Sequence, residues 1–286
     1  MAMNIQNRAY FQRKWKRIDV MKASSVTVVH LLCLLAPFHY NWEALRLSIV
    51  LNIVTGFSIT FSYHRNLTHH SFKLPKWLEY LFAYSALLAL QGDPIDWVSI
   101  HRFHHKFTDS DRDPHSPIEG FWFSHILWIF DTDYIRAKCG RRNNVMDLKR
   151  QWFYRFLQNT QVLHITIFFT ILYCYGGLPY LIWVVGFGGT IRYHGTLLVN
   201  SACHIWGSQA WKTKDTSRNV WWLSIYTMGE SWHNNHHAFE SSARHGLEWW
   251  QIDLTWYFIR FFEALGLATE VKLPSQSNKQ KMTFAH

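Results

Sequence analysis

Four cysteines are few for 286 residues, and no two of them stand in C-x-x-C spacing. That excludes a disulfide framework and an iron–sulfur site. Cys33 and Cys174 lie inside apolar runs, and with Cys139 and Cys203 they read as buried or incidental thiols. No H-P-G-G or C-x-x-C-H segment offers a haem ligand, and no G-x-G-x-x-G turn offers a flavin site. The chain therefore brings no electron carrier of those kinds. No internal repeat of fixed period is present. A secretory signal is missing as well: the basic run Arg8, Arg13, Lys14, Lys16, Arg17 and Lys22 is too long, and no small-residue cleavage site follows the apolar stretch after it. Only seven residues precede Arg8, so no Ser-rich organelle presequence is expected unless a longer precursor was trimmed.

Acidic residues are the scarce charge, 19 against 29 Lys and Arg, for a net charge of +10. Two partners could explain that excess, nucleic acid or an anionic membrane leaflet. The basic residues flank apolar segments and form no nucleic-acid module, so the leaflet is the expectation. What the chain has in quantity is aromatic residue, 17%, with 16 Trp and 21 Phe inside a 49% hydrophobic total. Such a load fits long membrane interfaces, where Trp and Tyr sit at headgroup level.

Four apolar segments carry that composition: Ser24–Phe38, Leu45–Tyr63, Val162–Tyr175 and Leu178–Ile191. A spanning helix needs roughly 20 residues, so the first and third need flanking residues to complete them. Paired through short turns at His39–Trp42 and Gly176–Pro179, they give two helical hairpins spanning about 24–40, 44–63, 161–176 and 178–199. The hairpin turns carry no Lys or Arg while six precede the first segment, which places the termini and long loops on the cytosolic side. The expectation is a single all-α integral membrane domain over 1–286. It has four transmembrane helices, a cytosolic helical cap from 64–160 and 200–273, and a polar, mobile tail at 274–286. A fifth apolar stretch, 77–91, carries Glu79 and is short, so it is expected to lie in or dip into the interface.

The chain also holds 18 histidines. HRNLTHH supplies His64, His69 and His70; HRFHH supplies His101, His104 and His105; HNNHH supplies His233, His236 and His237; NSACH supplies Asn200 and His204. Helix positions i, i+3 and i+4 share a face, so each H-x-x-H-H can aim its imidazoles at one centre, as can Asn200 and His204. His64 and His69 are five apart, a wide angle on an α-helix, and a helix end at His64 is expected to resolve it. Imidazole suits zinc, copper, iron or nickel. Eight or nine convergent imidazoles exceed what one ion binds, so two ions are implied. The paired Glu-x-x-His elements of ferritin-like di-iron bundles are not supplied here, and the set reads as all-nitrogen. Lone histidines are more often surface or satisfied core residues, and His30, His39, His164, His245 and His286 are assigned so.

Taken together, YHRNLTHHSF, DWVSIHRFHHKFTDSDRDPHSP, EGFWFSHILW, NSACHIWG and GESWHNNHHAFE resemble the membrane-bound fatty-acyl desaturases. The likeness covers roughly residues 10–273 and points to the stearoyl-CoA (delta-9) branch, nearest its plant acyl-lipid/acyl-CoA subgroup. The resemblance implies two irons. His64, His69, His101, His105 and His236 would hold one; His104, His204, His233 and His237 would hold the other, with Asn200 positioning a water. His70 falls outside this scheme and is expected behind the ligands. Asn234 and Asn235 are expected to hydrogen-bond ligand imidazoles, with capping or solvation the equal alternative.

The reaction so implied is oxygen-dependent insertion of a cis double bond into a saturated acyl chain. Unactivated methylenes offer no polar handle, so an apolar tunnel must select them. Ser48, Asn52 and Thr55, along segment two, are candidates for its end, against simple helix packing. Animal acyl-CoA relatives have Arg-Asp where this chain has Ser99-Ile100, and a later basic pair is matched by Thr132-Asp133. Acyl-CoA stays the first choice of carrier and a glycerolipid the second. Arg65, Lys106, Arg112, Arg141 and Arg142 are candidates for a phosphate-rich carrier or plain solvated charges. The resemblance also implies cytochrome b5 and its reductase as electron donors at the endoplasmic reticulum, with ferredoxin in a plastid only. The rival readings are a hydroxylase of the same superfamily, a histidine-lined metal transporter and a non-catalytic scaffold. The transporter would need its ionisable groups at the bilayer midplane.

Overall fold

The computed structural model describes residue 10 and residues 12–284; Arg8 and His286 lie outside them. Every extended element among the described residues is helical, and backbone pairing between segments is limited to isolated bridges such as Lys73 with Thr269. Helix α1 (Arg17–Leu35) and helix α2 (Trp42–Phe57) form the first hairpin, and α2 runs without a break into a π-helical segment, Ser58–Thr68. The turn between them is fastened by Asn41, whose side chain accepts the Ala44 amide, and by the Trp183 indole N–H donating to His39 O at 2.9 Å. Helices α3 (Lys76–Leu87), α4 (Pro94–Phe107), α5 (Phe121–His125) and α6 (Thr132–Cys139) follow.

The second hairpin begins with α7 (Trp152–Gly176) and turns at Gly177, whose φ of +69° favours glycine. It returns through a π-helical segment, Leu181–Gly188, into α8 (Gly189–Ile205). Helices α9 (His233–Ala238) and α10 (Leu254–Ala264) complete the part that matters here.

Two stretches are long and apolar enough to cross a membrane by length and composition, Arg17–Phe38 and Trp42–Thr68. The second pair falls short of that test. The first half of α7 carries Arg155, Gln158, Asn159 and Gln161, and the returning segment changes helix type part-way. Helices also overrun the expected spans: the second reaches Thr68, the third starts at Trp152 and the fourth ends at Ile205. At 12 residues, about 18 Å, α3 is too short to span. It buries Leu78, Ala83, Ala86 and Leu87 and leaves Trp77 and Leu81 exposed, and its Glu79 accepts from Lys76 Nζ and the Tyr154 hydroxyl.

The hairpins pack through small residues. A Cβ on Gly186 would stand 2.7 Å from the Cys33 amide nitrogen, so only glycine lets α1 approach that closely. The π-helical segment's carbonyls are taken up by α2: Ser48 Oγ donates to Trp183 O at 2.6 Å and Asn52 Nδ2 to Gly188 O at 3.0 Å. Outward, Val28, Leu31, Ile49, Ile53, Val162, Leu163 and Ile167 are exposed, an apolar belt around both hairpins. The four cysteines are free thiols, and Cys174 is exposed. The polar tail is not structureless: Gln276–Lys281 forms a helical turn capped by Ser275, and the Lys212 amide donates to Met282 O.

Candidate metal centre

The first expectation overturned is the helix end at His64. The chain continues as a π-helix, in which backbone bonds skip five residues, and the His69 amide donates to His64 O at 3.2 Å. Five-residue spacing thereby returns to nearly the same face, and the two imidazole centroids lie 4.8 Å apart. Helix α4 starts at Asp93, whose carboxylate accepts the Ile95 and Asp96 amides, with Pro94 in the first turn. It delivers His101 and His105 to one side and His104 to another. Helix α9 splits likewise, His236 one way and His233 with His237 the other, while α8 contributes His204.

Two nitrogen clusters result. His64, His69, His101, His105 and His236 each bring one ring nitrogen within 4.8 Å of the others, and so do His104, His204, His233 and His237. Within the first, His236 Nε2 is 3.1 Å from His64 Nε2 and 3.0 Å from His105 Nε2, which is 3.1 Å from His101 Nε2. Within the second, His204 Nε2 and His233 Nε2 are 3.0 Å apart. Ligands about 2.1 Å from an ion and at right angles sit about 3.0 Å apart. Hydrogen bonds cannot account for the whole set, because His69 Nε2 and His237 Nε2 are buried without a partner.

The protonation states agree. Burial holds His69, His101, His233, His236 and His237 well below the usual imidazole value, and His105 at about 4. Neutral imidazole is the form that binds a metal. His104 goes the other way: burial lowers it, but the Asp113 carboxylate outweighs burial and raises it. For Asp113, burial in turn opposes ionisation, and His104 overcomes it and lowers the carboxyl.

Carboxylates stand behind these rings, and they carry no sequence signature. His104 Nδ1 hydrogen-bonds Asp113 at 3.0 and 3.1 Å, and His237 Nδ1 hydrogen-bonds Asp215 at 2.9 Å. His204 Nδ1 lies 3.2 Å from Thr216 Oγ1 and 3.6 Å from Asp109. His64 Nδ1 is 2.6 Å from Glu230 and His105 Nδ1 is 3.6 Å from Glu240. Such partners fix the ring and raise its donor strength. Glu230 stands three residues before His233, a single Glu-x-x-His, yet it enters as a partner of His64.

Several sequence assignments change. Arg65 is no surface cation: it is fully buried, and its guanidinium donates to Glu230, Asp253 and Ala243 O. His245 is more than a satisfied core residue. It stacks on His236 with centroids 4.3 Å apart, and its Nδ1 is 3.2 Å from Glu230. His70 is exposed and contacts Arg102 and Asp147, away from the clusters. Asn234 and Asn235 touch no imidazole. They fasten the 210–219 loop to α9 through the Ala210, Trp211 and Asn219 groups, and Asn235 also donates to His245 O and Gln251.

Of the other lone histidines, His30 Nε2 meets His194 Nε2 at 3.2 Å, and His164 bonds Thr160. Arg112 stacks over Phe107, and Arg142 pairs with Asp96 at 2.7 Å. Lys106 is exposed, as is Arg141.

A cleft reaches both clusters. His64 and His101 line it from the first, His233 from the second, and Asn200 sits beside them. Its walls come from α2, the π-helical segment that follows it and α8: Asn52, Gly56, Ile59, Ile191, Gly195 and Val199. Of the three tunnel-end candidates only Asn52 lines it. Ser48 is spent on Trp183 O and Thr55 bonds back to Leu51 O.

Comparison with known proteins agrees with this geometry. The profile of the fatty acid desaturase family matches residues 40–268. The chain is 77% identical over 279 residues to delta-9 desaturase-like 2 protein of Arabidopsis thaliana, covering 98% of this chain and 93% of the relative. It is 64% identical to delta-9 acyl-lipid desaturase 1 of the same plant, covering 99% and 92%. It is 58% identical to the chloroplastic palmitoyl-monogalactosyldiacylglycerol delta-7 desaturase, covering 96% and 74%.

Proposed function

The chain belongs to the fatty acid desaturase family, and from that membership we propose that it places a cis double bond at the delta-9 position of a saturated acyl chain esterified to a membrane glycerolipid. It is an oxidoreductase acting on fatty-acyl chains. The observation that carries the finer reading is the cleft between α2 and α8, with Ile59, Ile191 and Val199 in its wall and imidazoles of both clusters lining it.

Two irons, held by the five-histidine and four-histidine sets, would supply the oxygen-dependent removal of two hydrogens from adjacent methylenes. The protein's own part is positional. Ile59, Ile191 and Val199 exclude water from the chain beside the reacting carbons, and Gly56 and Gly195 leave width for it. Asn200 lines the same cleft beside these imidazoles and would hold a water there. Nine neutral donors add no charge to the ions, so the surrounding carboxylates set the charge balance.

Two observations favour a lipid carrier over acyl-CoA. Ser99 is fully buried and donates to Asn144 at 2.6 Å, and Thr132 with Asp133 is engaged by Asp19 and Lys16 at 2.5 Å each. Neither position presents a cation to a phosphate. The relatives include two named as delta-9 acyl-lipid desaturases.

In this reading the two hairpins cross the membrane four times, with the apolar belt in lipid and both metal sets on the cytosolic side. The membrane is that of the endoplasmic reticulum, and cytochrome b5 with its reductase delivers two electrons per turnover to the basic cytosolic face. Higher salt should slow that delivery. Metal transport gains no support, since the histidines lie at the ends of the spans.

The test is expression in yeast lacking its own desaturase, followed by double-bond mapping separately in glycerolipids and in the acyl-CoA pool. New delta-9 bonds appearing first in glycerolipids are expected. Bonds confined to acyl-CoA at early times would reject the carrier, and hydroxylated chains without unsaturation would reject the reaction.

A further inference from the structure

The carboxylates are shared unequally between the two clusters. Three stand behind the four-histidine set: Asp113 at His104, Asp215 at His237 and Asp109 at His204. None of the three pairs with Lys or Arg among the described residues. Asp113 accepts from the Asp109 and His115 amides, Asp109 Oδ2 from the Thr216 amide and hydroxyl, and Asp215 from the Ser217 amide and hydroxyl. Their charges are uncompensated, and Asp113 is fully buried.

Behind the five-histidine set, among the described residues, stand only Glu230 at His64 and Glu240 at His105. Arg65 binds Glu230 in a fork at 2.8 and 3.0 Å, sharing itself with Asp253, so that triad carries one net negative charge. Glu240 is half exposed, and water screens it. Five imidazoles therefore feel less anionic charge than four do on the other side.

An anion behind a ligating imidazole strengthens the donor and favours the more highly charged metal. Resting on the di-iron reading, we infer that the two irons are electronically unequal, the four-histidine ion having the lower reduction potential and the five-histidine ion accepting the first external electron. Asp113, Asp215 and Asp109 act as positioning and charge-setting residues for one metal, and Arg65 as the damper for the other. Each ferric ion takes one electron, so a donor delivering electrons singly meets an ordered pair of acceptors.

The purified holoenzyme, loaded with isotopic iron and oxidised, is titrated with dithionite while Mössbauer spectra are recorded. Two reduction steps are expected, separated by at least tenfold in their one-electron equilibria, about 59 mV. Asp113→Asn should raise the lower potential and leave the higher one in place. Asp215→Asn, at a less buried position, should do the same should Asp113→Asn lose metal. One merged step in wild-type enzyme that still forms double bonds overturns the inference and leaves the function standing. So does a shift of the higher step in either variant. Fewer than two irons per active chain overturns both.

Discussion

The His69 amide donates to the His64 carbonyl five residues back, and this one backbone bond turns two imidazoles that an α-helix would splay into neighbours 4.8 Å apart. The π-helix is thus part of the site. Adding one alanine after Asn66 rotates His69 away from the cluster while leaving every side chain present. Iron content should fall from two to about one per chain, measured by metal analysis of purified protein, with product lost. Full iron and activity would show that the register is not needed.

The ligand assignment is tested directly by His101→Ala and His236→Ala. Each removes one nitrogen from the five-histidine set and leaves the four-histidine set whole. Both variants should express at wild-type level and form no product in the yeast assay, and normal unsaturation from either would remove that residue from the set.

Asn52 and Ser48, one turn apart on α2, are predicted to behave differently. Asn52→Phe fills the cleft it lines and should shift products toward shorter acyl chains, read by chain-length analysis of the lipids. Ser48→Phe must displace the Trp183 and Gly188 backbone it packs on, so yield should fall instead. A shortened profile from Ser48→Phe at full yield would contradict the packing.

Arg65→Met should be among the most damaging single changes outside the ligands. It leaves Glu230 and Asp253 buried without their shared cation, a loss of about 3–5 kcal/mol by the usual cost of breaking a buried pair. Denaturant midpoints in detergent measure it, and a change under about 1 kcal/mol would show water or neutralisation rescuing the carboxylates.

Acid should undo the centre in a defined window. His105 and His245 are each held at about 4, below the ordinary imidazole value of 6.5. A depressed value means that their contribution is complete above 6.5 and lost as pH falls towards 4. Iron-free protein should therefore lose stability between pH 6.5 and 4. A flat denaturation midpoint across that window would show that these rings are not held neutral.

How much of this was visible in the sequence depends on whether spacing or tertiary contact carried it. Helical spacing gathers His101, His104 and His105, but their division between two centres was implied only by the family resemblance. The hairpins followed from apolar runs, although polar residues early in α7 and the change of helix type before α8 blur the second pair. Asp113, Asp215 and Glu230 reach the rings by folding and hold no fixed offset from their partners, so pattern alone passes over them. Arg65 next to His64 looks like any solvated cation until Glu230 and Asp253, 165 and 188 residues away, close on it. His245 was missed for the same reason: alone in the sequence, it is stacked in space.

The five-histidine set draws on residues from His64 to His236, and the four-histidine set on residues from His104 to His237. Neither ion can find a complete seat until nearly the whole polypeptide has been synthesised. Metal capture must then come after both hairpins have been made, and an early stop codon anywhere before His233 leaves neither set complete.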